Sequence, residues 1–224
     1  MENYMMKISE STFDVLKNFS TINPSLAFKK GSKLRTVSPQ KNILAEATIS
    51  ESFPVNFGIY ELNKFLGLTT LFDDADFQFE NTAVKIKEGR NIASYTYTDE
   101  SMINTPPDNN IELPSTDVEF SLNKDSYRKV LTGANQLQLP EVVVRGKDGV
   151  ISLVATDTKN PTTNEYSIEV GTSPAVFQFV FKTENLKMIV DDYAVKISKT
   201  GIAEFSGSRV NYWVATEKDS TYDI

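Results

Sequence analysis

The side chains that most often carry catalysis are missing from this sequence: it contains no His and no Cys. That removes a Ser–His–Asp triad, a thiol nucleophile, disulfide bonding and the usual zinc ligand sets. Carboxylate, Lys and Tyr chemistry remain. The densest carboxylate group is Asp73, Asp74 and Asp76, hard oxygen ligands of the kind a divalent cation takes. A second pair, Asp191 and Asp192, stands in a matching context, after an apolar run and before the next strand pattern. This recurrence reads as turn chemistry, in which Asp bonds its own backbone, and no metal site is assigned. Gly146-Lys147-Asp148-Gly149 lacks the Gly-Lys-Ser/Thr ending and the strand-to-helix setting of a phosphate loop. No catalytic residue and no cofactor is assigned, and the expectation is a protein that is not an enzyme.

Binding chemistry is what remains. Basic residues lie in four short helical patterns: Lys17, Lys64, Lys124, Arg128, Lys129 and Lys187. On their own, charges on a helix face are ordinarily just solvated. The whole chain, however, carries a net charge of −7, whereas the four helical windows carry −1, 0, +2 and +1 by direct count. Positive charge is therefore enriched on these windows. Trp213, in the run Val210 to Ala215, reads as a core residue of a strand.

The elements that position these residues are mostly short strands. Alternation is clear in Val118-Glu119-Phe120-Ser121-Leu122 and in Phe177-Gln178-Phe179-Val180-Phe181. The runs Val142–Arg145 and Val150–Ala155 flank a Gly-bearing turn and predict a hairpin. Helices are expected over Ser9–Phe19, Glu61–Thr70, Asn123–Gly133 and Lys182–Val190. Ser9 or Ser11, Asn123 and Thr183 are the candidate caps. The first helix should bury Phe13, Leu16 and Phe19, the third Tyr127, Val130 and Leu131. The stretch Asp99–Asp117 contains Pro106, Pro107 and Pro114 without a sustained pattern and reads as a linker. The fold class expected is α+β: two similar domains, 1–105 and 117–224, joined by a connector at 106–116, each repeating a strand–helix–strands unit twice. No apolar run approaches the ~20 residues of a membrane span. The first residues carry no signal-peptide core, so a soluble intracellular protein with no membrane contact is expected.

Four stretches then carry a resemblance: Leu16-Lys17-Asn18-Phe19-Ser20-Thr21-Ile22-Asn23, Ala45-Glu46-Ala47-Thr48-Ile49-Ser50, Ile59-Tyr60-Glu61-Leu62-Asn63-Lys64-Phe65-Leu66-Gly67, and Glu217-Lys218-Asp219-Ser220-Thr221-Tyr222-Asp223. In order and spacing the chain resembles the sliding clamps of T-even-type bacteriophages. The resemblance implies DNA-clamp domains with helices lining a ring and sheets outside. It implies a homotrimer that encircles duplex DNA without sequence preference and makes the replicative polymerase processive. Twelve helices at roughly 10 Å spacing would leave a hole of about 28 Å, wide enough for duplex DNA. It further implies that Lys17, Lys64, Lys124, Arg128, Lys129 and Lys187 face the DNA through weak phosphate contacts. A DNA polymerase C-terminal peptide would dock beside the connector and the C-terminal segment, at Ile111, Leu113, Val214 and Ala215. A clamp loader ATPase would open the ring, in the cytoplasm of the infected bacterial host. Composition equally permits a structural β-rich subunit of a viral assembly, which would bind no polymerase peptide.

Overall fold

Period-two alternation dominates the chain, and it places every second side chain on one face of an extended segment. The computed structural model describes residues 4–109 and 111–223. It divides into two compact units, Met1–Asp108 and Asn109–Ile224.

In the first unit, β1 (Tyr4–Met6) leads into α1 (Glu10–Ile22). Then come β2 (Leu26–Phe28), β3 (Gly31–Val37), β4 (Ile43–Phe53) and β5 (Phe57–Ile59). The helix α2 (Leu62–Thr69) precedes β6 (Asp76–Phe79), β7 (Ala83–Glu88) and β8 (Asn91–Thr96). Strands β1, β6, β7 and β8 form one antiparallel sheet in that order; β3 pairs with β4, and β2 with β5. Phe28, Phe53, Phe57 and Phe79 pack ring against ring in the core.

The helix α1 starts at Ser9, whose hydroxyl accepts from the Thr12 amide at 3.3 Å. Thr12, Val15, Leu16, Phe19 and Ile22 form its buried stripe, packed on β3 and β4. Phe13, expected inside, is only half-buried. The start is tied to β4 by Glu51, which accepts from the Ser9 amide at 2.5 Å and the Thr12 hydroxyl at 2.6 Å.

In the second unit, β9 (Val118–Leu122) leads into α3 (Lys124–Gln136), then β10 (Glu141–Lys147), β11 (Val150–Thr156), β12 (Tyr166–Thr172) and β13 (Val176–Lys182). The chain continues through β14 (Tyr193–Ser198), β15 (Ile202–Ser206), β16 (Val210–Ala215) and β17 (Thr221–Asp223). One sheet runs β12-β11-β10-β13-β17; within this unit β9, β14, β15 and β16 are also neighbours in that order. Asn123 caps α3, accepting from the Ser126 amide at 2.8 Å. Ser126, Tyr127, Val130 and Ala134 face inward, while Leu131 is half-buried. Gly133 sits inside this helix because a Cβ there would come within 2.8 Å of the Tyr166 ring on β12. The β10–β11 turn passes through Asp148 (φ 53°) and Gly149 (φ 84°), two successive left-handed residues of the kind that matches strand twist.

The expected fourth helix over Lys182–Val190 does not form. Only Thr183–Asn185 makes one 3-10 turn, and Thr183 does not cap an α-helix. Leu186 and Met188 are buried with Lys187 exposed between them, a period of two rather than 3.6. Tyrosine hydroxyls take the place of helical hydrogen bonds. Tyr127 donates to the Leu186 carbonyl at 2.9 Å, and the Ile189 amide donates to the Tyr212 oxygen at 3.1 Å. Tyr193 donates to the Ile189 carbonyl. Backbone groups satisfied from outside leave no drive toward the helix. The strand–helix–strands unit therefore recurs four times, with an α-helix in three of them among the described residues.

Candidate DNA-facing surface and partner surface

Lys17 lies on the outer side of α1, with its ammonium 3.8 Å from Asp14. Lys64 projects from α2 and pairs with Glu61 at 2.7 Å. The two helices pack against each other. Leu16 on α1 and Phe65 and Leu66 on α2 are buried, while Lys17 and Lys64 stay exposed. The Glu61 carboxylate raises the Lys64 pKa through a hydrogen bond and by charge. Both pairs are exposed i,i+3 contacts, which solvent screens and which add little to stability, so a phosphate competes with them easily.

Lys124, Arg128 and Lys129 are exposed on α3. Arg128 hydrogen-bonds Asp125 one turn back. Arg128 and Lys129 also rim a hollow of about 420 Å³ with Thr132, Gly133, Gln136, Leu137 and Tyr166. Lys187 is exposed, but on the irregular tyrosine-held segment and not on a helix as expected. The hydroxyls that hold this segment are kept protonated: burial, above all, pushes the Tyr127, Tyr193 and Tyr212 pKa values upward.

The residues expected to border a partner pocket divide. Ile111 and Leu113 are half-buried in the irregular segment before β9, and Ala215 is half-buried at the end of β16. Val214 is corrected: at 0% exposure it belongs to the core. Its strand buries Tyr212, Trp213 and Val214 in succession, so both faces are covered. Trp213 is likewise buried, with no hydrogen-bond partner for its indole N–H among the described residues.

The two Asp pairs behave as local backbone and side-chain anchors. The Asp73 and Asp74 amides donate to Glu88, and Lys7 donates to Asp74. Asp191 accepts from the Asp192 amide at 2.9 Å and from the Ser208 hydroxyl at 2.6 Å. No group of three His, Cys, Asp or Glu residues able to hold a metal ion occurs among the described residues. No helix among them is long and apolar enough to cross a membrane.

Sequence reasoning missed a group around the start of the irregular segment. Lys29, Lys33 and Arg35 line a hollow of about 210 Å³ with Ala27, Thr105, Pro106 and Asp108. Lys33 and Arg35 share one face of β3 by their spacing of two, which was the available signal.

Strand–helix–strands units repeated around short packed helices, with the basic side chains outward, define a DNA-clamp fold. A chain in a structure described as the C-terminal region of FEN-1 bound to A. fulgidus PCNA shares it, with a TM-score of 0.70. The two are 15% identical, over 99% of this chain and 100% of that one. The DNA polymerase III β subunit of Borrelia burgdorferi gives 0.69 at 12% identity, over 96% of this chain and 64% of that one. Residues 7–105 match the family described as DNA polymerase processivity factor, and residues 119–218 the family described as gp45 sliding clamp, C terminal. The sliding clamp of Vibrio phage KVP40 is 32% identical over 220 residues, covering 95% of this chain and 99% of that protein. The sliding clamp of Enterobacteria phage T4 is 31% identical over 229 residues, covering 98% and 100%. The chain belongs to the phage sliding-clamp family of DNA polymerase processivity factors.

Proposed function

We propose that three copies close head to tail into a ring around duplex DNA and tether the replicative polymerase to it, with no catalysis by the ring itself. One observation carries this reading. Each unit has a strand of six or seven residues at one edge of a sheet, β8 in the first and β12 in the second. Ile92 on β8 is 65% exposed. An apolar open edge is a liability unless another chain covers it. Two different edges favour a heterologous contact, which closes into a ring when the rotation closes.

Three α-helices per chain among the described residues remove the twelve-helix basis for the hole size. In this reading the irregular segment around Lys187 takes the fourth helix's place on the inner wall. Lys17, Lys64, Lys124, Arg128, Lys129 and Lys187 face the duplex and contact phosphates weakly. Weak, sequence-independent contact suits sliding, and the closed ring supplies the retention that an acidic chain cannot obtain by charge. Residues 106–116 serve as the connector between domains 1–105 and 117–224. A C-terminal peptide of the polymerase docks at Ile111, Leu113 and Ala215, and tethering raises the local concentration of polymerase at the primer end. A clamp loader ATPase opens the ring, in the cytoplasm of the infected host.

The experiment is retention on DNA after loading. A topological ring stays on a nicked circle and runs off when the circle is linearised. Equal loss from both forms would contradict encirclement. Charge reversal at Arg128 and Lys129 should shorten residence on the circle and lower the salt slope by ~0.9 for each phosphate no longer neutralised. An unchanged slope would remove these two from the DNA-facing set.

A further inference from the structure

Among the described residues, three ion pairs lie within a helix or its cap, and they share one form: the base stands three residues after the acid. On α1, Lys17 follows Asp14, with the charged atoms 3.8 Å apart. On α2, Lys64 follows Glu61 at 2.7 Å. On α3, Arg128 hydrogen-bonds Asp125. All six residues are exposed. Each α-helix thus carries one such pair, and in each the base is among the residues read as facing the duplex. Lys124 and Lys129, also on α3 and also exposed, form no ion pair among the described residues. The acid-to-base spacing recurs in sequence at Glu184 and Lys187, where there is no α-helix for it to stabilise.

We propose that Asp14, Glu61 and Asp125 are positioning residues that attenuate DNA contact: each holds the base three residues on and keeps its grip on a passing phosphate weak. This rests on the DNA-encircling reading given above. Helix stability alone is a poor reason for the recurrence, because exposed pairs of this spacing contribute little. What the pairs do change is the charge a phosphate meets. The carboxylate occupies donors of the ammonium or guanidinium, and its own charge repels the incoming phosphate, so a DNA contact must first displace it. Each pair lowers that contact by a factor of roughly 1.5 to 2. One pair on each of three helices, in three copies, repeats this small effect around the ring, so it compounds even when only some of the pairs meet the duplex at once. Lys124 and Lys129, without a carboxylate partner, then set the basal grip.

The test is the rate of run-off. The full-length oligomer is loaded on a nicked circle, the circle is cut once, and the time to leave the ends is read over a range of salt concentrations. The triple variant Asp14→Asn, Glu61→Gln, Asp125→Asn should leave at least about tenfold more slowly at low salt, with oligomer mass unchanged. Its difference from the parent should close toward 1 M salt, where charges are screened beyond about 3 Å. The conservative set Asp14→Glu, Glu61→Asp, Asp125→Glu keeps every carboxylate and should leave at the parent's rate. Neutralising Glu119, Asp148 and Asp219, three exposed acids outside the helices, changes the net charge equally and should leave run-off within about twofold of the parent. If the triple variant fails to assemble, Asp14→Asn alone should still slow run-off at least about twofold. Unchanged run-off in the triple variant, or equal slowing by the control set, would overturn the proposal while leaving encirclement intact. A parent protein that is not retained on the uncut circle would overturn the DNA-encircling reading, and this inference with it.

Discussion

The second helix position of each unit shows two solutions to one problem. In the first unit, Leu62–Thr69 is an α-helix whose first N–H, at Leu62, is taken by the Pro24 carbonyl at 2.7 Å. It buries Leu62, Phe65 and Leu66 on one stripe. In the second unit, the corresponding stretch makes a single 3-10 turn and then runs without regular structure, with its carbonyl and amide groups bonded to three tyrosine side chains. A helix is the default where the backbone must satisfy itself. Where outside donors and acceptors are already in place, a stretch of similar length does without one. Both stretches nonetheless expose one lysine, Lys64 or Lys187.

Removing the apolar stripe should hurt most. Phe65→Ala should destabilise the chain by about 3–5 kcal/mol, since the ring is almost fully buried. Denaturant unfolding measures this; a loss below ~1 kcal/mol would mean the stripe is not what holds α2. Tyr127→Phe should cost about 1–3 kcal/mol, because it leaves the buried Leu186 carbonyl without its donor. If it costs nothing, the non-helical path of 186–190 has another cause. Gly133→Ala sharpens the contrast between helices. Alanine favours an isolated helix, yet at this site its Cβ meets the Tyr166 ring. The expected result is a net loss of stability of about 1 kcal/mol or more from overpacking, and a gain would show that the ring moves freely.

The smallest effect separates the helix starts by pH. Burial pushes the Glu51 carboxyl upward, but hydrogen bonds from the Thr12 hydroxyl, the Ser9 amide and the Ser50 hydroxyl outweigh it and hold the pKa at about 2. The group is therefore more acidic folded than unfolded. Its stabilisation of α1 is complete above the ordinary value of 4.5, fades as pH falls, and is gone below about 2. The stability difference between the parent and Glu51→Gln should shrink across that window, and a difference independent of pH would contradict the anchor.

Much of this architecture was written locally. Ser9 and Asn123 announce α1 and α3 through side chains that cap their own helices. Lys147-Asp148-Gly149 announces its turn because few residues tolerate two left-handed positions. The missing fourth helix was not legible in the same way. Its cause lies in Tyr127, Tyr193 and Tyr212, none of which is within the segment, although the Leu186–Met188 alternation was there to read. The basic candidates were found on exposed surfaces because charge and helical period are both local properties. Val214 was misjudged because whether a strand is covered on one face or two is decided by other strands. Arg35 escaped notice for a related reason: the Pro107 carbonyl it donates to lies 72 residues away in sequence.

The proposed function stands or falls on the closed three-copy ring, and solution mass by light scattering over a wide concentration range decides it. A closed ring gives a species of three times 25.1 kDa that dissociates to monomer on dilution, without a stable dimer between. A strict monomer or dimer at every concentration, with β8 and β12 left uncovered, would contradict it and favour the structural-subunit reading.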